Sequence, residues 1–334
     1  MSQRWQKTLL PDPAATVEEH RFAAYVRTLG RGPGRSRALT RDEARDALSM
    51  VLQGDVDPHQ VGAFLMLLRY RGEDAAEMAG LVDAAREHMG AGLPPGTAPV
   101  DLDWPSYGAG RTRGAPWFLL AALALARAGH RVLMHGTNEF SRAMTVPDGL
   151  DELGLRPAMD HADAVMQLDR MGFAYLPLQT LSPALNALLG LRHLLGLRSP
   201  LNTAARLLNP FDARAGVDGV FHPAYIALHL AVAERLGRQR LVVVKGGGGE
   251  AERTPAKAMT AHWFDRAHGT AETTLPQLPV EPELDTGLTQ VWHDGVGRGA
   301  SIAIATVALG LIALGKISDD AEMHAAEVWS RRHG

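Results

Sequence analysis

Residues 100–137 read VDLDWPSYGAGRTRGAPWFLLAALALARAGHRVLMHGT, and the order of patterns along them sets the fold class. Val100–Trp104 is a short apolar stretch ending at a glycine-containing turn, Tyr107–Gly110. Trp117–Ala128 then has the length and apolar content of a helix, and Arg131–Met134 gives a second short apolar stretch that runs into His135–Gly136–Thr137. Strand, glycine turn, helix, strand is the unit of α/β organisation, in which ligand groups gather at the carboxyl ends of parallel strands. Leu241–Val244 repeats the theme and runs straight into Gly246–Gly249.

Upstream of this unit the patterns are helical. Thr40 with Glu43 forms a capping box ahead of Ala44, Ala47, Leu48, Val51 and Leu52 at helical spacing, and Gly54 ends the helix. After Asp57 and Pro58, the apolar set Val61, Phe64, Leu65 and Leu68 predicts a second helix that stops near Gly72. A third starts around Glu73–Asp74, carries Met78, Leu81, Val82 and Ala85, and ends before Gly90. The proline and glycine of residues 91–99 read as a linker. Downstream, Leu178–Leu197 is expected to be helix again, and SIAIATVALGLIALG from Ser301 is expected to be a buried helix.

Composition removes several classes of function. The chain has 334 residues with no cysteine, so thiol nucleophiles, iron–sulfur ligation and disulfides are excluded. The N-terminus lacks a signal-type apolar region, and the longest apolar run, Ala300–Leu314, falls short of the roughly 18 residues of a membrane span. A soluble cytoplasmic protein with no membrane partner is therefore expected. Net charge is −3, but lysine occurs only at Lys7, Lys245, Lys257 and Lys316, so the cationic side is almost all arginine. The planar arginine fork suits phosphates; a GC-rich genome would enrich the same residue, and composition leaves the two open.

Position narrows the choice. In Gly108–Ala109–Gly110–Arg111, between a strand and a helix, free backbone N–H groups could hold an anion with Arg111 and Arg113 in support, or the glycines could merely serve the turn. His135, Thr137, Asn138, Ser141 and Arg142 lie past a strand end, where polar side chains face a ligand or cap a helix. Gly246–Gly249, between Lys245 and the pair Glu250 and Glu252, could be a phosphate cradle, a metal loop or a lid; it lacks the Gly-Lys-Ser/Thr ending of a Walker A motif. His222 and His229 have no ligand partner near them in sequence. Two tracts are free of acidic residues: one holds Arg21, Arg27, Arg31, Arg35, Arg37 and Arg41, the other Arg170, Arg192, His193, Arg198 and Arg206. Each is either a phosphate-binding surface or a solvated arginine-rich face.

Together these segments resemble the anthranilate phosphoribosyltransferase-like family, glycosyl transferase family 3, from about Ala38 to Arg332. LTRDEARDALSMVLQGDVDPHQVGAFLMLLRYRGEDAAEMAGL is similar to the opening helices of the family, and LRHLLGLRSPLNTAARLLNP to the segment with its acceptor-side arginine and two asparagines, here Arg192, Asn202 and Asn209. LVVVKGGGGEAE takes the place of the strand and metal loop. The resemblance implies a small, mainly helical domain, residues 1–92 completed by helices near 178–198. This would be hinged to a larger α/β domain, residues 97–334, with a central, mostly parallel sheet. It also implies a homodimer.

The chain departs from the family where transfer chemistry would sit. Arg111 stands at or near the Asp that ends the glycine-rich diphosphate loop, Met134 stands for a lysine, and the magnesium-binding Asp-Glu pair is Ala251–Glu252, with Glu250 as a stand-in. A departing diphosphate needs its charge neutralised, and magnesium sites are built from carboxylates alongside the substrate's phosphates. The pattern is closer to the YbiB-type branch, and that resemblance implies a homodimer binding DNA or RNA, single- or double-stranded and largely without sequence preference, with no cofactor. The contacts would be Arg31, Arg35, Arg37, Arg192, Arg198 and Arg206. Phosphate would be held by Gly108, Gly110, Arg111, Arg113, His135, Thr137, Asn138, Ser141, Arg142 and Asn209. The alternative expectation is an active phosphoribosyl transferase using phosphoribosyl pyrophosphate and magnesium at Glu250 and Glu252.

Overall fold

The structure is a computed structural model that describes residues 17–333 apart from 33, 109, 110, 113, 138, 283–286 and 317. Gly110, Arg113 and Asn138, expected at the phosphate site, lie outside the described residues.

The N-terminal part is a bundle of α1 (Val17–Gly30), α2 (Arg41–Gln53), α3 (Pro58–Arg71) and α4 (Ala75–His88). The capping box at Thr40 forms, with both the side-chain and the backbone bond in place, and Gly54 closes α2 in the left-handed conformation. Asp57 and Asp74 cap α3 and α4 with their carboxylates. Such caps satisfy N–H groups that a helix start otherwise leaves unpaired. The buried faces carry the residues whose spacing predicted them: Ala44, Ala47 and Leu48, then Phe64, Leu65 and Leu68, then Met78, Leu81 and Val82.

The second part is built on a seven-stranded sheet of order β3-β2-β1-β4-β5-β6-β7. The strands are β1 (Leu102–Ser106), β2 (Val132–Gly136), β3 (Phe173–Pro177), β4 (Ala215–Val220), β5 (Arg240–Lys245), β6 (Met259–Asp265) and β7 (Gly269–Leu275). The first five run parallel, and β6 and β7 add an antiparallel hairpin at one edge. Pro105 sits inside β1 opposite His135 of β2. Pairing of β1 with β4 has already ended at Asp103, so β4 claims no hydrogen bond from the proline nitrogen.

One core lies between the bundle and a face of the sheet, running from Phe22 and Phe64 through Leu185 and Leu201 to Leu133 and Val243. The other covers the opposite face under α5 (Trp117–Arg127) and α14 (Arg298–Ala313). Between them in the chain lie α6 (Val146–Glu152), α7 (His161–Met171), α12 (Ala224–Arg235) and α13 (Leu288–Asp294); α15 (Ser318–Ser330) closes the fold. No single helix among the described residues is long and apolar enough to cross a membrane.

The single helix expected over 178–197 is three short ones: α8 (Leu178–Leu181), α9 (Pro183–Gly190) and α10 (Arg192–Leu195). Ser182 leaves helical geometry to cap α9, and Pro183 cannot continue α8 because it has no N–H to give. A further short helix, α11 (Leu201–Ala204), and the turn Ala205–Leu207 bring the chain back under β1.

Candidate functional site

The carboxyl ends of β1, β4 and β5 open beneath the end of α3, and the space between bundle and sheet is a cleft of about 240 Å³. Arg69 and Glu73 reach it from the bundle, Arg198, Ser199 and Asn202 from the segment entering α11, and Tyr107, Arg206, Phe221, His222, Tyr225 and His229 from the sheet side. Its shape follows from close backbone approaches at the strand ends. A Cβ on Gly246 would lie 1.6 Å from the Glu250 carbonyl oxygen, and one on Gly136 would lie 1.7 Å from that of Ser106.

The cleft is lined by cations, and one of them is affected by the others. Arg198 is half-buried, and its guanidinium pKa is lowered first by burial and then by the charges of Arg192, Arg206 and Arg69. Like charges held together at a partly desolvated site are stabilised by an anion. Arg69 contacts the Tyr225 hydroxyl and Glu73, which ties the bundle to α12 across the cleft. Arg192 lies at the rim, 4.9 Å above the Phe140 ring, and its Nη1 is buried with no hydrogen-bond partner among the described residues.

Several expected site residues have other tasks. Arg206 is not a free surface contact: it is buried, and its guanidinium donates to the carbonyls of Gly219 at 3.0 Å, Gly249 at 2.7 Å and Tyr107 at 2.8 Å. It bolts three strand ends together while contributing charge to the cleft floor. Asn209 does not face a ligand in the cleft either. At φ 42° it closes its own turn, accepting from the Ala213 N–H at 2.8 Å and donating to the Ala213 carbonyl at 3.1 Å.

His135 is fully buried rather than turned to a ligand. Its Nδ1 meets the Tyr107 hydroxyl at 2.9 Å, and its Nε2 lies 3.2 Å from Asp103, which Arg238 also pairs. A strand end in a two-layered sheet has an inward as well as an outward side, and position in sequence does not choose between them. Thr137 is half-buried, while Arg142 and Ser141 stitch a loop by donating to the Arg111 carbonyl at 3.0 and 3.5 Å.

Arg111 turns inward, with its guanidinium on the Ala115 carbonyl, 3.3 Å from Glu252 and 5.5 Å from the Phe118 ring centroid. Gly108 is buried against Glu250, whose Oε1 would sit 2.3 Å from a Cβ there. In the N-terminal tract Arg31 and Arg35 are exposed, whereas Arg37 is paired with Glu43 and holds that carboxyl down at about 2.

These contacts decide whether Glu250 and Glu252 suit a magnesium ion. Glu252 accepts from Arg111 and, at 3.1 Å, from the Phe118 N–H. Glu250 accepts from Ser106 Oγ at 3.2 Å, and its Oε2 is buried with no partner among the described residues. Burial pushes the Glu250 carboxyl up to about 7 despite the opposing pull of Arg206 and Arg111. Two carboxylates flanked by two guanidinium groups are already balanced in charge, and no cluster of three or more His, Asp or Glu among the described residues could hold a metal. Glu250 and Glu252 by themselves do not complete a magnesium site, which takes one or two carboxylates together with the phosphates of a bound substrate.

One pairing escaped the sequence. His229 on α12 has a partner eleven residues upstream: its Nδ1 is hydrogen-bonded to Asp218 of β4, and both side chains are buried. The available signal was a carboxylate and an imidazole each set among apolar neighbours, in AGVDGV and ALHLAV.

A helical bundle joined to a mostly parallel α/β unit, with a cationic cleft between them, defines a glycosyl transferase scaffold. Two family descriptions match the chain: the glycosyl transferase family helical bundle domain over residues 23–89 and the glycosyl transferase family a/b domain over residues 118–289. The chain belongs to this family, glycosyl transferase family 3. It is 29% identical to the uncharacterised protein YbiB of Escherichia coli (strain K12) over 73% of this chain and 77% of that one. It is 32% identical to anthranilate phosphoribosyltransferase 2 of Streptomyces coelicolor over 71% and 73%. The fold matches that of anthranilate phosphoribosyltransferase from Thermus thermophilus, with a TM-score of 0.75 at 24% identity, covering 93% of this chain and 94% of that one. The Saccharomyces cerevisiae enzyme in complex with PRPP and Mg gives 0.74 at 18% identity, covering 94% and 95%.

Proposed function

We propose that the chain is a phosphoribosyl transferase that binds the sugar-phosphate donor in the cleft between bundle and sheet and neutralises its charge mainly with arginine. The observation that carries this reading is the arginine cluster itself. Arg69 of α3 and Arg198 and Arg206 of the segment after α10 converge on one cavity at the strand ends, where burial first and the neighbouring arginines second lower the Arg198 pKa. Three of the four relatives named above are called anthranilate phosphoribosyltransferase, which makes anthranilate the first acceptor to try. The test is pyrophosphate release from phosphoribosyl pyrophosphate with a panel of aromatic amines, alongside calorimetric titration of the donor, with Mg²⁺ and with EDTA. Release that depends on one acceptor and is lost in Arg198→Ala is expected; neither release nor donor binding in either condition refutes the reading.

A second reading, binding of nucleic acid, is favoured by one specific feature of the rim. Arg192 lies over Phe140 with a buried guanidinium nitrogen left unpaired, and Leu194 and Leu197 beside it are exposed. A guanidinium on an aromatic face next to apolar surface suits an unstacked base and its phosphate. Titration of a labelled single-stranded oligonucleotide at two salt concentrations, with phosphoribosyl pyrophosphate as competitor, separates the readings. Salt-steep binding indifferent to the competitor belongs to the second reading, and binding displaced by the competitor belongs to the first.

A further inference from the structure

The arginines of the cleft suit a phosphate, and one neutralised pair on the cleft floor is of a different kind. His229 lines the cavity. Its Nδ1 is taken by the Asp218 carboxylate, which leaves Nε2 as the ring nitrogen not engaged by Asp218 on a residue that lines the cavity. A buried carboxylate accepting from Nδ1–H fixes the tautomer in which Nε2 carries a lone pair, and it stabilises the imidazolium formed when that nitrogen takes a proton. Asp218 is itself held: it is fully buried, and its other oxygen lies 3.9 Å from Arg206, which also clamps the Gly219 carbonyl next to it. The strand end is closed tightly around the pair, since a Cβ on Gly219 would meet the Glu250 backbone at 2.3 Å. His135 also meets a buried carboxylate but does not line the cavity, whereas His229 does both.

We propose that His229 Nε2 is the proton acceptor for the incoming nucleophile, an amine or hydroxyl compound, with Asp218 as its positioning residue. The assignment rests on the transferase reading of the same cleft. In the step it serves, the lone pair of the acceptor nitrogen or oxygen forms a bond to C1 of the pentosyl donor. The C1–O bond to the diphosphate breaks, and its electron pair leaves with the diphosphate towards Arg69 and Arg198. The N–H or O–H proton of the nucleophile passes to Nε2 and is later released to water, and nothing is oxidised or reduced. Acceptors without a proton on the attacking atom gain nothing from this arrangement, so tertiary amines should be inert where primary ones react.

The test compares wild type, His229→Gln and Asp218→Asn for donor affinity by calorimetry with phosphoribosyl pyrophosphate and for kcat with the best acceptor found for wild type. General base catalysis contributes about 10²- to 10⁴-fold, so His229→Gln should lower kcat by roughly 100-fold or more while donor affinity stays within about twofold. Asp218→Asn should lower kcat at unchanged donor affinity as well, because an amide can hold the ring but cannot stabilise the imidazolium. The retained donor affinity also establishes that the variants are folded. An unchanged kcat in His229→Gln with active wild type overturns the base assignment alone. A parallel loss of kcat and donor affinity marks the pair as structural and overturns it too. Wild type inactive with every acceptor overturns the base assignment, and wild type that also fails to bind the donor refutes the functional reading with it.

Discussion

Glu250 shows how the chemistry of one residue is set by where its backbone goes. The Gly246–Glu250 turn folds so tightly that the side chain is pressed under Gly108 and against Ser106, out of water. Burial disfavours the charged form, and the pKa is raised to about 7 from an ordinary value of 4.5. The sign of the linkage follows: the folded state keeps a proton that the unfolded state has lost, so the fold is at its full strength below the unfolded value of about 4.5 and is weakened as pH rises through 7. Glu77, buried beneath the Leu39 N–H and also raised to about 7, acts in the same direction. Glu250→Gln is neutral at every pH and should therefore match wild type near pH 5 and exceed it at pH 8. The gain would be on the order of 3 kcal/mol, from about 1.4 kcal/mol for each pKa unit between the folded and unfolded values. Urea unfolding at the two pH values measures it, and a variant less stable than wild type at pH 8 would mean that the carboxylate is held charged by a partner.

Among the elements, the parts legible in the sequence are those whose structure is decided locally. α2, α3 and α4 are fixed by their own caps and apolar spacing, and β1, β2 and β5 by apolar runs ending in glycine, so the predicted spans lie within about two residues of the observed ones. β4 was illegible because AGVDGV has the composition of a loop. Its glycines are there for neighbours distant in sequence: a Cβ on Gly216 would crowd Arg238 at 2.9 Å and one on Gly219 would strike the Glu250 backbone. β7, GTAETTL, is an exposed edge strand with no apolar alternation to betray it. The site was legible as a set of strand ends but not as a set of directions. Whether His135 or Arg206 points outward depends on Asp103 and on the Gly219 and Gly249 carbonyls, which only the assembled sheet brings near.

The same distinction separates two neighbours in the glycine run. Gly246→Ala would place a methyl 1.6 Å from a carbonyl oxygen that cannot move without unwinding the turn, whereas Gly247 has nothing within 4 Å. The first should destabilise by more than about 3 kcal/mol, in the range of overpacking or strain at a close backbone approach. The second should cost under about 1 kcal/mol. Chemical denaturation of the two variants checks this, and equal losses would show that the run needs glycine for flexibility rather than for space.

At the scale of the whole molecule, the cleft lies where the bundle, which shares a core with one face of the sheet, stands over the strand ends. Arg69 belongs to the bundle, Arg198 to the segment between α10 and α11, and Arg206 to the turn after α11, from which it clamps the strand ends. An anion seated among them must hold the bundle against the sheet, and it does so against a net charge of −3 that repels anions from afar. That opposition fades beyond a Debye length of about 8 Å at physiological salt, while the partly buried cluster is screened far less. Inorganic pyrophosphate should therefore slow amide hydrogen exchange on both sides of the cleft at once, in the last turn of α3 and in residues 198–206. It should also stabilise the protein globally by about 2.7 kcal/mol at a hundred times its dissociation constant. Arg198→Ala removes the central cation and should abolish both protections together while leaving exchange in α2 unchanged. Protection confined to the sheet side would mean that the anion binds without the bundle, and the cleft would then be two surfaces that merely face each other.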